Sequence, residues 1–209
     1  MIKEDIDYSV YLVTDSRDKT EEEFLAIIEE AIKGGTSIVQ LREKTASTKD
    51  FYELALKVKE ITSRHDVPLL INDRIDIALA IDSEGVHIGQ DDMPADIARA
   101  IIGDEKILGV SASTVDEAVK AQKDGADYIG SGAVFPTSTK DDADSVSKDE
   151  LKEIVNSIDI PVVAIGGITL ENAQELKDTG ISGFSVVSAI MSAKDPQEAS
   201  EKLKEIYFS

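Results

Sequence analysis

The sequence has no cysteine and only two histidines among its 209 residues. Without thiols the chain can form neither a disulfide framework nor a thiolate zinc site, and two histidines nearly exclude a histidine-based metal centre. Long apolar runs are also missing, since the longest are strand-sized and fall far short of the roughly 20 residues that cross a bilayer. The first thirty residues lack the basic start and apolar stretch of a secretory signal. We therefore expect a soluble, cytoplasmic protein.

Positive charge is scarce. The chain carries 42 Asp and Glu against 22 Lys and Arg, which gives a formal net charge of −20 and a sequence pI near 4.4. Such a surface repels nucleic acid and anionic lipid, so we expect neither as a partner. The acidity fits adaptation to a salty cytoplasm and fits a well-solvated surface equally, and the sequence leaves both open.

The chain alternates short runs rich in valine and isoleucine with longer stretches of helical periodicity, a pattern typical of βαβ units and a parallel sheet. Eight βα units in 209 residues predict one domain, residues 1–209, with the α/β fold of a (β/α)₈ TIM barrel, and a doubly wound open sheet is the alternative. The predicted strands are Val10–Thr14, Ser37–Arg42, Pro68–Asn72, Gly85–Gly89, Ile107–Ser111, Tyr128–Ser131, Val162–Gly166 and Phe184–Ser188.

Capping residues mark the starts of several helices. The pairs are Thr20 with Glu23, Thr114 with Glu117, Ser147 with Glu150, and Asp195 with Glu198. We expect Gly34, Gly125 and Gly180 to end helices in the left-handed conformation. One connection is long and polar, residues 132–147 after the sixth strand, and we predict that it is mobile.

Chemistry in a TIM barrel takes place where the strands end and the helices begin. In "SIVQLREK", residues 37–44, Gln40, Arg42 and Lys44 alternate along the strand and therefore share one face. Asp73 follows the third strand and Asp92 the fourth. Each acid alone is more simply a helix cap, and each cation more simply a member of a solvated surface pair. His87 alone is more simply a satisfied packing residue.

Taken together, these residues predict a site for a divalent cation and a multiply charged oxyanion. Mg²⁺ takes one or two protein carboxylates and fills its other positions with water and phosphate oxygens, which suits Asp73 and Asp92. Burial of Arg42 and Lys44 without counter-charges would be costly, whereas a diphosphate and a metal would satisfy them. Lys140, in the long connection, would close over the same group. The loops after strands seven and eight, with Gly166–Gly167 and Ser188, predict a second phosphate site.

Eight segments, in order through nearly the whole chain, resemble the thiamine phosphate synthase family. They are "YLVTD" (11–15), "QLREK" (40–44), "INDR" (71–74), "GVHIGQDDMP" (85–94), "GVSAST" (109–114), "GAVFPTSTK" (132–140), "AIGGI" (164–168) and "VVSAI" (186–190). The resemblance implies a transferase that joins 4-amino-2-methyl-5-hydroxymethylpyrimidine diphosphate to a thiazole phosphate and releases diphosphate.

The resemblance also implies roles for particular residues and one Mg²⁺ per subunit. Asp73 and Asp92 would hold the metal. The pyrimidine diphosphate would be bound by Gln40, Leu41, Arg42, Glu43, Lys44, Asn72, Ser111 and Lys140, of which Arg42, Lys44, Ser111 and Lys140 would be catalytic. The thiazole phosphate would be bound by Thr137, Ser138, Thr139, Gly167, Val187 and Ser188. The partners implied are small-molecule substrates, and a homodimer is compatible with the sequence.

Two other functions remain open. A related barrel, the thiazole tautomerase, uses a histidine as acid and base in the segment that matches "SAST", where this chain has Ser113, and it needs no diphosphate site. A non-catalytic barrel that senses a phosphorylated metabolite would bind both ligands and form no product. An assay for thiamine phosphate and released diphosphate separates all three.

Overall fold

The structure is a computed structural model that describes residues 6–137 and 145–209. Eight parallel strands close into a barrel in chain order, with β1 paired to both β2 and β8. This closure confirms the single-domain barrel and rules out the open sheet. The strands are β1 (Val10–Val13), β2 (Ile38–Leu41), β3 (Leu69–Asn72), β4 (Gly85–Ile88), β5 (Ile107–Ser111), β6 (Tyr128–Ser131), β7 (Val162–Ile165) and β8 (Gly183–Val186).

Helices follow the strands on the outside of the barrel. Over the described residues they are α1 (Glu21–Lys33), α2 (Thr48–Arg64), α3 (Ile75–Ala80), α4 (Ala95–Ile102), α5 (Val115–Lys123), α6 (Lys148–Ser157), a 3₁₀ helix (Ala173–Thr179), α7 (Ser188–Met191) and α8 (Pro196–Phe208). In this part of the chain no helix is both long and apolar enough to span a membrane.

The predicted helix starts are confirmed at all four capping pairs. For example, the Thr20 and Ser147 side chains accept from the backbone N–H groups of Glu23 and Glu150 in full capping boxes. Of the three predicted helix ends, Gly125 and Gly180 have positive φ. The prediction for Gly34 was wrong, because its φ is −77°. A Cβ on Gly34 would lie 2.1 Å from the Gln197 carbonyl oxygen, so that glycine instead gives α8 room to pack closely.

The eighth strand ends earlier than predicted. Val187 has φ −114° and ψ −81°, which breaks the extended conformation, and Ser188 opens the short helix α7. The predicted strand Phe184–Ser188 is therefore observed as Gly183–Val186. Val187 and Ser188 lie in the turn and at the start of a helix, where backbone N–H groups are not used by a strand ladder.

Side-chain alternation along the strands separates two apolar layers. The larger layer lies between the strands and the helices and includes Val39 and Leu41. The smaller one fills the inside of the barrel and includes Tyr11, Leu70 and Tyr128. The predicted alternation in β2 is therefore confirmed: Val39 and Leu41 face the helices, while Gln40 joins the tyrosines inside the barrel. The polar end of the interior opens at the carboxyl ends of the strands.

Candidate active site

A cavity of about 290 Å³ opens at the carboxyl-terminal mouth of the barrel. Most of the residues predicted for the site line it. They are Gln40, Arg42, Lys44, Asn72, Asp73, Asp92, Ser111, Thr137, Gly167, Val187 and Ser188. Ser138, Thr139 and Lys140 lie outside the described residues. The three loops that carry the cations and the carboxylates thus meet at one opening, because the carboxyl ends of parallel strands lie on the same side of the barrel.

The loop after β2 is held by hydrogen bonds that aim its cations at the cavity. The Arg42 backbone N–H donates to Thr14 Oγ1 at 3.1 Å. The Glu43 carboxylate accepts from Ser16 Oγ at 2.6 Å and from the backbone N–H groups of Lys44 and Thr45. Burial acts to raise the pKa of Glu43, but these hydrogen bonds lower it below its usual value. Glu43 is therefore occupied with shaping the loop.

Two residues of the predicted diphosphate set do not reach the cavity. Leu41 is fully buried in the layer between strands and helices, because alternation turns its side chain away from the barrel interior. Glu43 accepts hydrogen bonds from Ser16 and from its own loop and is not among the residues lining the cavity.

Lys44 and Asp73 form an ion pair across the mouth, with 2.5 Å between Nζ and Oδ2. The Lys44 side chain is 51% exposed and the Asp73 side chain 21%. The expectation that the cations are buried was therefore wrong for Lys44, because the mouth is open to solvent, whereas Arg42 is half-buried. Within the described residues no ion pair joins Arg42 to a carboxylate, and Arg42 lines the cavity.

The two aspartates are not helix caps. The N-cap of α3 is Arg74 and that of α4 is Pro94, and neither helix start has a capping hydrogen bond from a side chain. Asp73 instead has a φ of +63°, a left-handed conformation that costs energy for a residue with a Cβ. Asp92 accepts from the Gly89 backbone N–H at 2.7 Å. Both carboxylates are thus held at the mouth by their loops.

The electrostatics of this pair fit a divalent cation. The pKa of Asp73 is raised by burial and by the adjacent Asp92 carboxyl, while Lys44 lowers it in part. Two neighbouring carboxylates whose charged forms disfavour each other are stabilised by a cation between them. The described residues contain no cluster of three or more acidic or histidine side chains that could enclose a metal. Two carboxylates are nevertheless enough for Mg²⁺, which usually keeps several waters.

The opposite side of the cavity is built mainly from backbone. Gly166 and Gly167 follow β7 with φ of +98° and +65°, and a Cβ on Gly167 would lie 2.5 Å from the Pro136 carbonyl oxygen. Only glycine fits this approach without strain. Thr137 and Ser188 line the cavity beside this turn. Small residues and backbone N–H groups of this kind suit a phosphate group.

Several polar residues of the cavity were not predicted from the sequence. The buried Tyr11 and Tyr128 line its floor, and the exposed Gln90 donates from Nε2 to the Ser111 carbonyl oxygen at 2.6 Å. The interpretation of His87 as a satisfied buried residue is confirmed, since both of its ring nitrogens have hydrogen-bond partners. The alternation of side chains along the strands could have identified the two tyrosines. Tyr11 and Tyr128 occupy positions that face the inside of the barrel, where most other side chains are apolar.

Comparison with known proteins assigns the chain to a family. Residues 10–190 match the family model described as thiamine monophosphate synthase. The chain belongs to this family. The thiamine monophosphate synthases are transferases of thiamine biosynthesis, so the chain is an enzyme of that class.

Individual relatives of the thiamine monophosphate synthase family match along almost the entire chain. A thiamine-phosphate synthase of Methanobrevibacter smithii is 69% identical over 198 residues, 95% of this chain and 94% of the relative. That of Ruminiclostridium cellulolyticum is 57% identical and covers 99% of this chain and 98% of its own. The solved structure of thiamine phosphate pyrophosphorylase from Pyrococcus furiosus is 40% identical, has a TM-score of 0.89 and covers 97% of this chain and 96% of its own.

Proposed function

We propose that the protein is a thiamine-phosphate synthase that transfers the pyrimidinylmethyl group of 4-amino-2-methyl-5-hydroxymethylpyrimidine diphosphate to the nitrogen of a thiazole phosphate. The observation that carries the proposal is the meeting of Arg42, Lys44 and the Asp73–Asp92 pair at one barrel mouth, in a chain 69% identical to a thiamine-phosphate synthase. We further propose that residues 1–209 form one catalytic domain. The cytoplasmic location and the homodimer stay predictions.

The reaction breaks the bond between the pyrimidine methylene carbon and a diphosphate oxygen, and the electron pair leaves with the diphosphate. The thiazole nitrogen then donates its lone pair to the methylene carbon, which forms the new carbon–nitrogen bond. We propose that the first bond breaks early, so that the carbon resembles a cation. No general acid or nucleophilic side chain is needed for this step, and the main requirement is stabilisation of the departing negative charge.

The cationic loop and the carboxylate pair divide this task. Arg42, which has no carboxylate partner in the described residues, is proposed to bind diphosphate oxygens through its planar guanidinium. Lys44 would exchange its contact with Asp73 for the diphosphate when a metal takes over that carboxylate. Asp73 and Asp92 would hold Mg²⁺, which when bound supplies Lewis-acid stabilisation of the leaving group, worth several kcal/mol.

The remaining residues are proposed to orient the two substrates. Gln40, Asn72 and Ser111 would bind the pyrimidine diphosphate. Thr137, Gly167 and the Val187–Ser188 turn would bind the thiazole phosphate through hydroxyl and backbone N–H groups. Lys140, Ser138 and Thr139, from the segment outside the described residues, are proposed on the sequence alone to complete the diphosphate and phosphate sites. Exclusion of water by that segment would prevent hydrolysis of the cation-like carbon.

Incubation of the purified protein with both substrates and Mg²⁺ tests the proposal. We expect thiamine phosphate and diphosphate in equal amounts, and none of either after removal of the metal. Isomerisation of a thiazole carboxylate phosphate without diphosphate release would instead favour a tautomerase. Binding of both substrates without product would favour a metabolite sensor. Lys140→Ala should lower turnover by about a hundredfold, which corresponds to about 2.7 kcal/mol of barrel-mouth charge stabilisation.

A further inference from the structure

Five side chains from five strands form a continuous hydrogen-bonded path across the inside of the barrel, which we call the core network. Gln40 Nε2 donates to Tyr11 OH at 2.7 Å, and Tyr11 OH lies 2.6 Å from Tyr128 OH. Tyr128 OH lies 2.7 Å from His87 Nδ1, and His87 Nε2 lies 3.0 Å from Ser111 Oγ. All five residues of the network line the cavity, and Gln40 and Ser111 are its two ends.

The network is rigidly placed. Tyr11 and Tyr128 are 1% and 0% exposed, and the Tyr128 ring packs against His87 at 5.5 Å between centroids. A Cβ at residue 109 would lie 2.1 Å from Tyr128 Cζ, so Gly109 in β5 provides the space that this ring occupies. Because the rings cannot shift, the order of donors and acceptors is the remaining variable.

The orientation of the Gln40 amide, whose nitrogen faces Tyr11 OH, sets that order. Burial raises the pKa of both Tyr11 and Tyr128, so each stays a neutral phenol with one proton. Since the Gln40 amide nitrogen is a donor only, Tyr11 accepts from it and passes its own proton to the Tyr128 oxygen. Tyr128 then donates to His87 Nδ1, which must be the unprotonated ring nitrogen. With the Gln40 nitrogen against Tyr11, the reverse direction would set two donors against each other and leave a buried proton without an acceptor, which is unfavourable.

We propose that the core network holds His87 as its Nε2–H tautomer and thereby sets the hydrogen-bond polarity at both ends of the cavity floor. His87 Nε2–H donates to Ser111 Oγ, so the Ser111 hydroxyl proton is directed to the ligand. At the other end the Gln40 amide nitrogen is engaged with Tyr11, and its Oε1 is the acceptor that faces the ligand. Tyr11, Tyr128 and His87 are positioning residues that act through Gln40 and Ser111.

This polarity selects a class of ligand. The cavity floor fits a nitrogen heteroaromatic ring that brings an amino N–H to Gln40 and a lone pair to Ser111. An oxo analogue would place a carbonyl oxygen against Gln40 Oε1, and a flip of the amide alone would leave Tyr11 with the wrong partner. The inference rests on the proposed function for the identity of the ring, since a 4-aminopyrimidine has this pattern. The inference adds a physical reason why the site would prefer an amino-substituted ring to its oxo analogue.

The tautomer can be measured directly because the chain has only two histidines, His65 and His87. Protein labelled with ¹⁵N-histidine gives two imidazole patterns in a long-range ¹H–¹⁵N spectrum, and His65→Gln assigns them. We expect His87 to show a protonated Nε2 and an unprotonated Nδ1. A protonated Nδ1, alone or together with Nε2, would overturn the proposal. This readout needs neither substrate nor turnover.

The ligand preference is tested by removing one link. Calorimetric affinities are measured for 4-amino-5-hydroxymethyl-2-methylpyrimidine and for its 4-oxo analogue. In Tyr128→Phe the path is cut, Gln40 and Ser111 can reorient, and we expect the amino-over-oxo preference to fall about tenfold, the value of one hydrogen bond of roughly 1.4 kcal/mol. Tyr8→Phe is the matched control, since Tyr8 packs on the same ring at 5.2 Å without being a link.

An unchanged preference in Tyr128→Phe, or an equal loss in Tyr8→Phe, would overturn the role of the network. If Tyr128→Phe does not fold, Tyr11→Phe cuts the next link and carries the same expectation. Failure of the amino compound to bind the wild-type protein more tightly than the oxo compound overturns the ligand class. Failure of the proposed function is separate, because it appears as absence of thiamine phosphate in a protein that still shows the expected tautomer and preference.

Discussion

Lys44 and Asp73, from the loops after neighbouring strands, contact each other directly at the mouth, with 2.5 Å between Nζ and Oδ2. Both residues are proposed to bind something else during turnover, Lys44 the diphosphate and Asp73 the metal. The ion pair therefore keeps the two charges mutually neutralised until ligands replace it. Because the Lys44 side chain is 51% exposed, the exchange requires little rearrangement.

Removal of the Asp73 charge should separate activity from stability. We expect Asp73→Asn to lower turnover by about a hundredfold or more, since metal affinity and charge stabilisation of the leaving group are lost. Its thermal unfolding temperature should not fall, because the raised pKa of Asp73 means that the surroundings disfavour its charged form. Kinetics and calorimetry measure the two effects.

Asp82→Asn is the control for this substitution. Asp82 also has a positive φ and also pairs with a lysine, Lys106, but its side chain is 92% exposed and lies away from the cavity. Its turnover should equal that of the wild type. Near-normal turnover in Asp73→Asn would contradict the metal assignment.

Mg²⁺ and diphosphate together should stabilise the protein by more than the sum of their separate effects. Ligand at a hundred times its dissociation constant adds about 2.7 kcal/mol, which for a domain of this size raises the melting temperature by roughly 5–10 °C. Differential scanning fluorimetry with Mg²⁺, with diphosphate and with both measures the effect. Asp92→Asn should remove the part that depends on the metal, and a purely additive response in the wild type would argue against a shared site.

Two arginines should give opposite results. Arg99 is 14% exposed, pairs with Asp127 and donates to backbone carbonyl oxygens before β5 and β6, at the end of the barrel away from the cavity. Arg99→Ala should cost about 3 kcal/mol of stability, because it removes the positive partner of the Asp127 carboxylate and the donor to these carbonyls, with little effect on kcat. Arg42→Ala should keep the melting temperature and lose turnover. Equal effects of the two substitutions on kcat would contradict the assignment of Arg99 to stability and of Arg42 to turnover.

The interior tyrosines should resist ionisation as long as the protein is folded. Burial raises the pKa of Tyr8, Tyr11 and Tyr128 far above its usual value near 10. The unfolded chain loses these protons near pH 10 while the folded chain keeps them, so this contribution to stability is complete below pH 10 and falls as the pH rises further.

Absorbance at 295 nm follows tyrosinate without interference, since the chain has no tryptophan. We expect three of the five tyrosines to ionise only together with unfolding. Tyr128→Phe should make the alkaline loss of stability less steep. Titration of all five tyrosines in the folded protein near pH 10 would show that the barrel interior is hydrated.

The barrel and its chemical end were predictable because both follow from local patterns. Apolar runs of strand length fix the number of strands, and the rule that parallel strands end on one side brings Gln40, Arg42 and Asp73 to one mouth without any knowledge of long-range contacts. Alternation along β2 also separated Gln40 from Leu41. The resemblance then added Leu41 to the residues that bind the ligand. The alternation contradicts this, because Gln40 faces the inside of the barrel and Leu41, the next residue, faces the helices.

The core network and the Lys44–Asp73 ion pair could not be predicted, because they depend on distances between residues that are far apart in the sequence. The core network joins β1 to β6 and β6 to β4, which are not neighbours in the sheet. Whether Tyr11 meets Tyr128 depends on the curvature of the whole barrel and on the missing side chain at Gly109. The pairing of Lys44 with Asp73 likewise needs the two loops in space. Helix caps were easier, because Thr20 and Glu23 are three residues apart.

The left-handed backbone at Asp73 has a consequence for laboratory evolution. Asparagine and glycine adopt a φ of +63° more readily than aspartate does, and either would also remove a carboxylate that its surroundings disfavour. A library selected only for survival of heat should therefore accumulate these two residues at position 73, and the enriched clones should be inert. The aspartate found at this position would thus indicate that natural selection has maintained the activity of the protein and not its stability alone.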